Sequence, residues 1–164
     1  MIAGTLNLGF QIANSKDYGL NTGGNATKDL LNFLLATQFT DGTGANQANS
    51  AYHDRGTLVG GGDAQYDFRG STIRDAFGTL INWQAIKAVC IVNDATTVGH
   101  TLTISSNLVD VDAQSLILQP GGVLLLMQPS AAGMAVTAGF DIITIANPGS
   151  SGVSYRIAAL GITV

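Results

Sequence analysis

Glutamate is missing from this chain of 164 residues: all eleven acidic residues are aspartate, and lysine occurs only at Lys16, Lys28 and Lys87. A long surface helix depends on Glu, Lys and Arg to dress its solvent face, and those side chains are too few here to build one. Isoleucine, valine and threonine are abundant instead, beside 21 glycines. β-Branched side chains sit well on a pleated surface, and glycine serves tight turns. The chain is therefore expected to be all-β.

The alternation of apolar and polar residues supports that expectation. Thr5 to Ala13 sets Leu6, Leu8, Phe10 and Ile12 on one face and Thr5, Asn7 and Gln11 on the other, a half-buried strand. A loop rich in Gly and Asn runs from Asn14 to Asn25. Thr27 to Phe39 fits two periods: Leu30, Leu31, Leu34 and Leu35 make a helical stripe, while Leu31, Phe33, Leu35 and Phe39 alternate as a strand. Composition favours the strand. Further strands are expected at Tyr52–Val59, Ala64–Arg69, Thr79–Val92 (one bent or two), Thr101–Ser105, around Leu116 and Leu118, and at Val123–Gln128. Ala135–Thr137, Asp141–Asn147 and Val153–Val164 complete the set, and Thr72–Phe77 suits a helical turn. Pro120-Gly121-Gly122 is a turn signal, since proline presets φ and glycine accepts a positive one, and Pro148-Gly149-Ser150-Ser151-Gly152 is expected to join the last two strands as a hairpin loop. About eight to ten short strands at such spacings make a β-sandwich or barrel, and eight suit a jelly roll. With no internal repeat and no linker, residues 1–164 read as one domain, of which 1–37 is the less determined strand and loop region.

Charge and cysteine exclude several functions. Charged residues are 11% of the chain, against about 25% in an average soluble domain. The net charge of −4 comes without a basic cluster, which speaks against a nucleic-acid surface. The longest apolar runs are strand-sized, too short for a membrane helix, and the N-terminus lacks the basic start of a signal peptide. Cys90 stands alone, so it has no disulfide partner within the chain. Mean hydropathy is positive, at +0.28. A surface coated with neutral side chains is prone to associate, and obligate interfaces are depleted of charge; a homo-oligomer is expected.

Residues able to do chemistry are sparse. His53 and His100 lie in different segments, and no metal-ligand spacing surrounds either. Asp110 with Asp112, and Asp63 with Asp67, could place two carboxylates on one strand face for calcium, although solvated edge pairs are the plainer explanation. Trp83, Tyr52 and Tyr66 could stack on sugars, but aromatics on strands usually serve the core. Gly42-Thr43-Gly44 and Gly60-Gly61-Gly62 lack the Gly-Lys-Ser/Thr ending of a phosphate loop. No enzyme, no cofactor and no metal are expected. Candidate contact residues are those of the loop Asp41, Gly42, Thr43, Gly44 and Asn46, together with Asp54 and Arg55, because loops on a rigid scaffold carry recognition. Val123 to Met127 is apolar on both strand faces, so Leu124 and Leu126 belong either to the core or to a subunit contact.

An ordered series of segments adds a resemblance. It comprises QFTDGTGANQANSAY (residues 38–52), Asp54-Arg55 with Thr57-Leu58, Tyr66-Asp67, and Asp75-Ala76-Phe77-Gly78 leading to Ile86-Lys87-Ala88 and Asn93. Pro120-Gly121-Gly122, Ala135-Val136-Thr137-Ala138-Gly139 and the ending Tyr155 to Gly161 follow. Across residues 38–164 the order resembles small structural proteins of tailed-phage virions, of the cement or decoration type. The resemblance implies a jelly-roll or barrel subunit, commonly a trimer. Such a subunit is made in the host cytoplasm, binds the major capsid protein on the capsid exterior and has no enzymatic activity. A glycan- or receptor-binding module of a phage head fibre or tail is the alternative.

Overall fold

A computed structural model describes residues 4–16, 27–70, 72–110 and 115–163, with side chains from Thr37 onward. Among them there is no helix, and no helix is long and apolar enough to cross a membrane. The strands are β1 (Gly4–Lys16), β2 (Thr27–Asp41), β3 (Gln47–Ala48), β4 (Ser50–Leu58), β5 (Asp63–Asp67) and β6 (Trp83–Asn93). Then come β7 (Leu102–Ser106), β8 (Leu116–Leu118), β9 (Val123–Met127), β10 (Met134–Ala135), β11 (Ile142–Ala146) and β12 (Val153–Thr163). Residues 27–39 are strand, as composition favoured.

Two open sheets face each other. One runs β4-β12-β6, with β9 and β10 sharing the far edge of β6, and the other runs β5-β11-β7-β8. The pairs β4 with β12, β5 with β11, β6 with β9 and β7 with β8 are all antiparallel. Those pairs join first strand to last, second to seventh, third to sixth and fourth to fifth, which is how a jelly roll winds eight strands into two sheets. The chain is thus an all-β sandwich. β1 and β2 form a separate antiparallel hairpin, whose register sets Leu8, Phe10 and Ile12 opposite Leu35, Phe33 and Leu31. It joins the rest through a short parallel pairing of β2 with β3.

Strand periodicity decides what is buried. In β12, Val153, Tyr155, Ile157 and Ala159 are buried while Ser154, Arg156 and Ala158 are exposed. The inward residues of both sheets merge into one core with Ile86, Val89, Ile91, Leu102, Ile104, Ile143 and Ile145. An aromatic row crosses it. Phe68 stacks on Trp83 with centroids 5.0 Å apart, and Tyr52, Tyr66 and Tyr155 continue the row edge-on or tilted. Gly161 sits at a bulge where β12 passes under Trp83, and a Cβ there would come within 2.3 Å of the indole.

Three local expectations change. Pro148-Gly149-Ser150-Ser151-Gly152 is not a hairpin loop but a crossing between sheets, since β11 pairs with β5 and β7 while β12 pairs with β4 and β6. Thr72–Phe77 is not a helical turn but the start of a small hairpin, with Arg74 bridged to Leu80. The Asp75 carboxylate accepts the N–H groups of Phe77 and Thr79, an Asx-type cap that competes with helix. The strand expected from Thr79 begins only at Trp83.

Candidate functional site

The loop from Asp41 to Asn46 is a pinned structure, and its pin is Lys87. This lysine is 0% exposed. Its Nζ donates to the carbonyls of Gly44 (3.3 Å), Ala131 (2.8 Å) and Ser130, so one ammonium ties the loop to the segment that follows β9. Burial lowers the pKa of Lys87, because a desolvated ammonium is disfavoured. Gln47 turns back to accept the Gly44 N–H at 2.7 Å, and Asn46, in the left-handed region at φ 55, donates to Pro129 O at 2.7 Å. A Cβ on Gly42 would stand 2.5 Å from the Gln47 amide oxygen. Gly42 suits its positive φ of 139, and a Cβ on Gly42 or Gly44 would displace the Gln47 amide, while Thr43, Asn46 and Asp41 face solvent.

Asp54 and Arg55 are neighbours on β4 with different tasks. Asp54 accepts the Tyr66 hydroxyl at 3.1 Å, and Tyr66 and Tyr155 share a 2.6 Å hydrogen bond. With Tyr66 donating to the carboxylate, Tyr155 donates to Tyr66. This relay runs from the core to the edge of the sandwich. It leaves Asp54 exposed but already engaged, while Arg55 is exposed beside it. Gly56 gives the relay room, since a Cβ there would be 3.0 Å from the Tyr155 hydroxyl. Burial first, then the nearby Asp54 charge and Tyr155, pushes the Tyr52 pKa above the usual tyrosine range. Tyr66 rises likewise, by burial and then by its hydrogen bond with Tyr155.

The outer face of the same sheet holds a shallow depression lined by His53, Arg55, Cys90, Arg156 and Ala158, among others. His53 and Cys90 both lie opposite Ala158, on either side of β12, so two strand spacings of about 4.8 Å separate them. They do not form a nucleophile–base pair. Burial raises the Cys90 thiol pKa, with Arg156 pulling it partly back, opposite to what an activated thiol needs. Arg156 clamps Asp94 in a two-pronged ion pair at 2.7 Å and holds that carboxyl below its ordinary range.

Two of the candidate calcium carboxylates are occupied by the backbone, and Asp63 accepts from the Gln65 side chain at 3.3 Å. Asp110 caps the Ala135 N–H at 2.8 Å, and Asp67 caps Arg69 and Gly70; Asp112 lies outside the described residues. Among the described residues no three His, Cys or Asp side chains come together. Trp83, Tyr52 and Tyr66 are buried, which removes them as a sugar-stacking surface. Phe77 and Phe140 are exposed aromatics instead, and Phe77, at the tip of the 74–80 hairpin, is 94% accessible.

Leu124 and Leu126 pair in register with Ile91 and Val89 and pack against the core. The outward row on β9 is therefore Val123, Leu125 and Met127. Sequence reasoning left open which face was which, and the ladder to β6 settles it. On the edge of the other sheet, β8 exposes Leu116 and Ile117. From Ala113 to Phe140 no residue carries a charge. The residue that sequence reasoning missed is Lys87. The signal was there, since Lys87 shares an alternation with Ala85, Val89 and Ile91, where a solvated lysine does not belong.

Compared with family models, curated proteins and solved structures, the chain finds no match.

Proposed function

We propose that this chain is a structural virion protein that binds the outside of a phage capsid and reinforces it as a homo-oligomer, a trimer in the form the resemblance implies. The observation that carries the reading is an uncharged, apolar edge, β8 with β9, on a rigid jelly-roll sandwich whose charges are concentrated elsewhere. Such a surface suits permanent cover by protein. The mechanism is added buried interface: each bound copy stabilises the assembled shell by mass action and does no chemistry. The exposed loop residues Asp41, Thr43 and Asn46, together with Arg55, are the proposed polar contacts to the major capsid protein.

The test is copy number and effect in purified particles. Hundreds of copies per head, and shells that lose thermal stability when the protein is omitted, are expected. A few copies at one vertex or on the tail would overturn the reading in favour of a fibre module. One observation favours that second reading: Phe77 stands almost fully exposed on a well-bonded hairpin beside Asp75, where a sugar ring could stack. Glycan binding that Phe77→Ala abolishes would establish it.

A further inference from the structure

Among the described residues, the outer edge of β9 is unpaired. Gln128 N–H donates to Lys87 O at 2.9 Å and Asn93 N–H to Gly122 O at 3.0 Å. In an antiparallel ladder both backbone groups of a residue point the same way and alternate along the strand. Even positions from Gly122 to Gln128 therefore face β6. The N–H and C=O groups of Val123, Leu125 and Met127 point the opposite way, and no strand among the described residues pairs with that side.

Natural sheets blunt such an edge with a charge, a proline, a bulge or a cover. Among the described residues none of these protects β9: Val123–Met127 is uncharged, free of proline, and in unbroken register with β6 from Ala88 to Val92, and no other strand pairs with it. Its side chains add to the exposure, since Val123 is 60% accessible, as is Ile117 on β8, the edge strand of the other sheet. The opposite edge of the same sheet is protected. There β4 bears His53, Asp54 and Arg55, with Asp54 turned toward the inner face.

We infer that β9 is the seam between copies, where a strand of a second copy of this chain adds to its outer edge while Leu116, Ile117, Val123 and Leu125 are covered. The inference deepens the self-association in the proposed function and rests on it. The occupant is argued from chemistry. A polar or charged partner would meet only apolar side chains here and leave its own charges unpaired. A copy supplies backbone hydrogen bonds together with equally uncharged side chains, the composition of homo-oligomer interfaces.

Sedimentation equilibrium on the full chain tests this. The parent is expected to be an oligomer at micromolar concentration. Val123→Lys places a charge on the edge at an already exposed position. Leu125→Pro removes one outward N–H without touching the ladder to β6, a substitution tolerated on edge strands. Each is expected to weaken association at least about thirty-fold, the effect of losing an interface hot spot, with an unchanged circular dichroism spectrum. Ala51→Lys puts the same charge on β4 and is expected to leave the mass unaltered. If Leu125→Pro fails to fold, Val123→Lys decides alone. A parent oligomer whose mass neither variant changes overturns the seam and leaves the functional reading standing. A monomeric parent overturns seam and self-association together. Variants of unchanged mass that no longer bind capsids would assign the edge to the shell, which overturns this inference and supports the functional one.

Discussion

At one end of the sandwich, β4 and the segment after it carry Asp54, Arg55, Asp63, Asp67, Arg69, Arg74 and Asp75; at the other, β8, β9 and β10 lie in a stretch with no charge at all. Both ends are open sheet edges and face the same problem of unpaired backbone. The charged end solves it alone, with an inward aspartate that anchors a tyrosine relay. The uncharged end has one ammonium from outside its own stretch, Lys87, which ties down the loop after β9 and leaves the edge itself bare. Two edges of one sheet thus differ: one terminates the fold, and the other is the one the proposed seam would continue.

The largest effect is expected at that ammonium. Lys87→Met should cost about 2–4 kcal/mol in urea unfolding, because it removes three part-buried, charge-assisted hydrogen bonds to the carbonyls of Gly44, Ser130 and Ala131. A neutral result would mean that those carbonyls find other donors, and that the uncharged end needs no pin. Leu126→Ala comes next, at about 2 kcal/mol, the low end for a core leucine, because the side chain is only partly buried. The same substitution at Leu125, on the outer face, should change the melting temperature of the dissociated chain far less.

At the charged end, the expected pH dependence is alkaline. Tyr52 and Tyr66 have folded-state pKa values raised above the unfolded value near 10. The native state therefore binds more protons above that pH, and stability that is intact below pH 10 is lost as pH rises further, by about 1.4 kcal/mol per pH unit for each tyrosine. Lys87, shifted the other way, makes stability rise with pH up to about its unfolded value of 10.4. Tyrosinate absorbance that appears together with unfolding above pH 10 would confirm the order; tyrosines titrating freely in the folded protein would contradict it. Tyr66→Phe should cost about 1–2 kcal/mol, since it removes the link between Tyr155 and Asp54. Smallest of all, Asp94→Asn should leave the unfolding midpoint almost unchanged, as expected for an exposed ion pair.

Much of the sandwich was legible because its strands alternate cleanly. β11 follows the period of two residue by residue and β12 does so as far as Gly161, where a bulge breaks it, and Pro120-Gly121-Gly122 ends β8 with Gly121 at positive φ, as its turn chemistry requires. Thr72–Phe77 misled because its helical spacing is local, while the Asp75 carboxylate captures two backbone donors and closes a hairpin. The contact loop was half legible. DGTGAN is recognisable as a loop, but its dependence on Lys87 and Pro129 arises from residues far along the chain. The apolar character of Val123–Met127 was plain in sequence. Which of its faces looked inward required the register with β6, and no local pattern encodes that.

Amide hydrogen exchange on the assembled protein tests the contrast between the two edges most directly. Within β9 the amides of Leu124 and Leu126 face β6, and those of Val123, Leu125 and Met127 face outward. If β9 is continued by another copy, both sets are expected to exchange slowly, and dissociation by dilution or by Val123→Lys should release only the outward set. Outward amides that exchange as fast in the assembled protein as in the monomer would contradict the account.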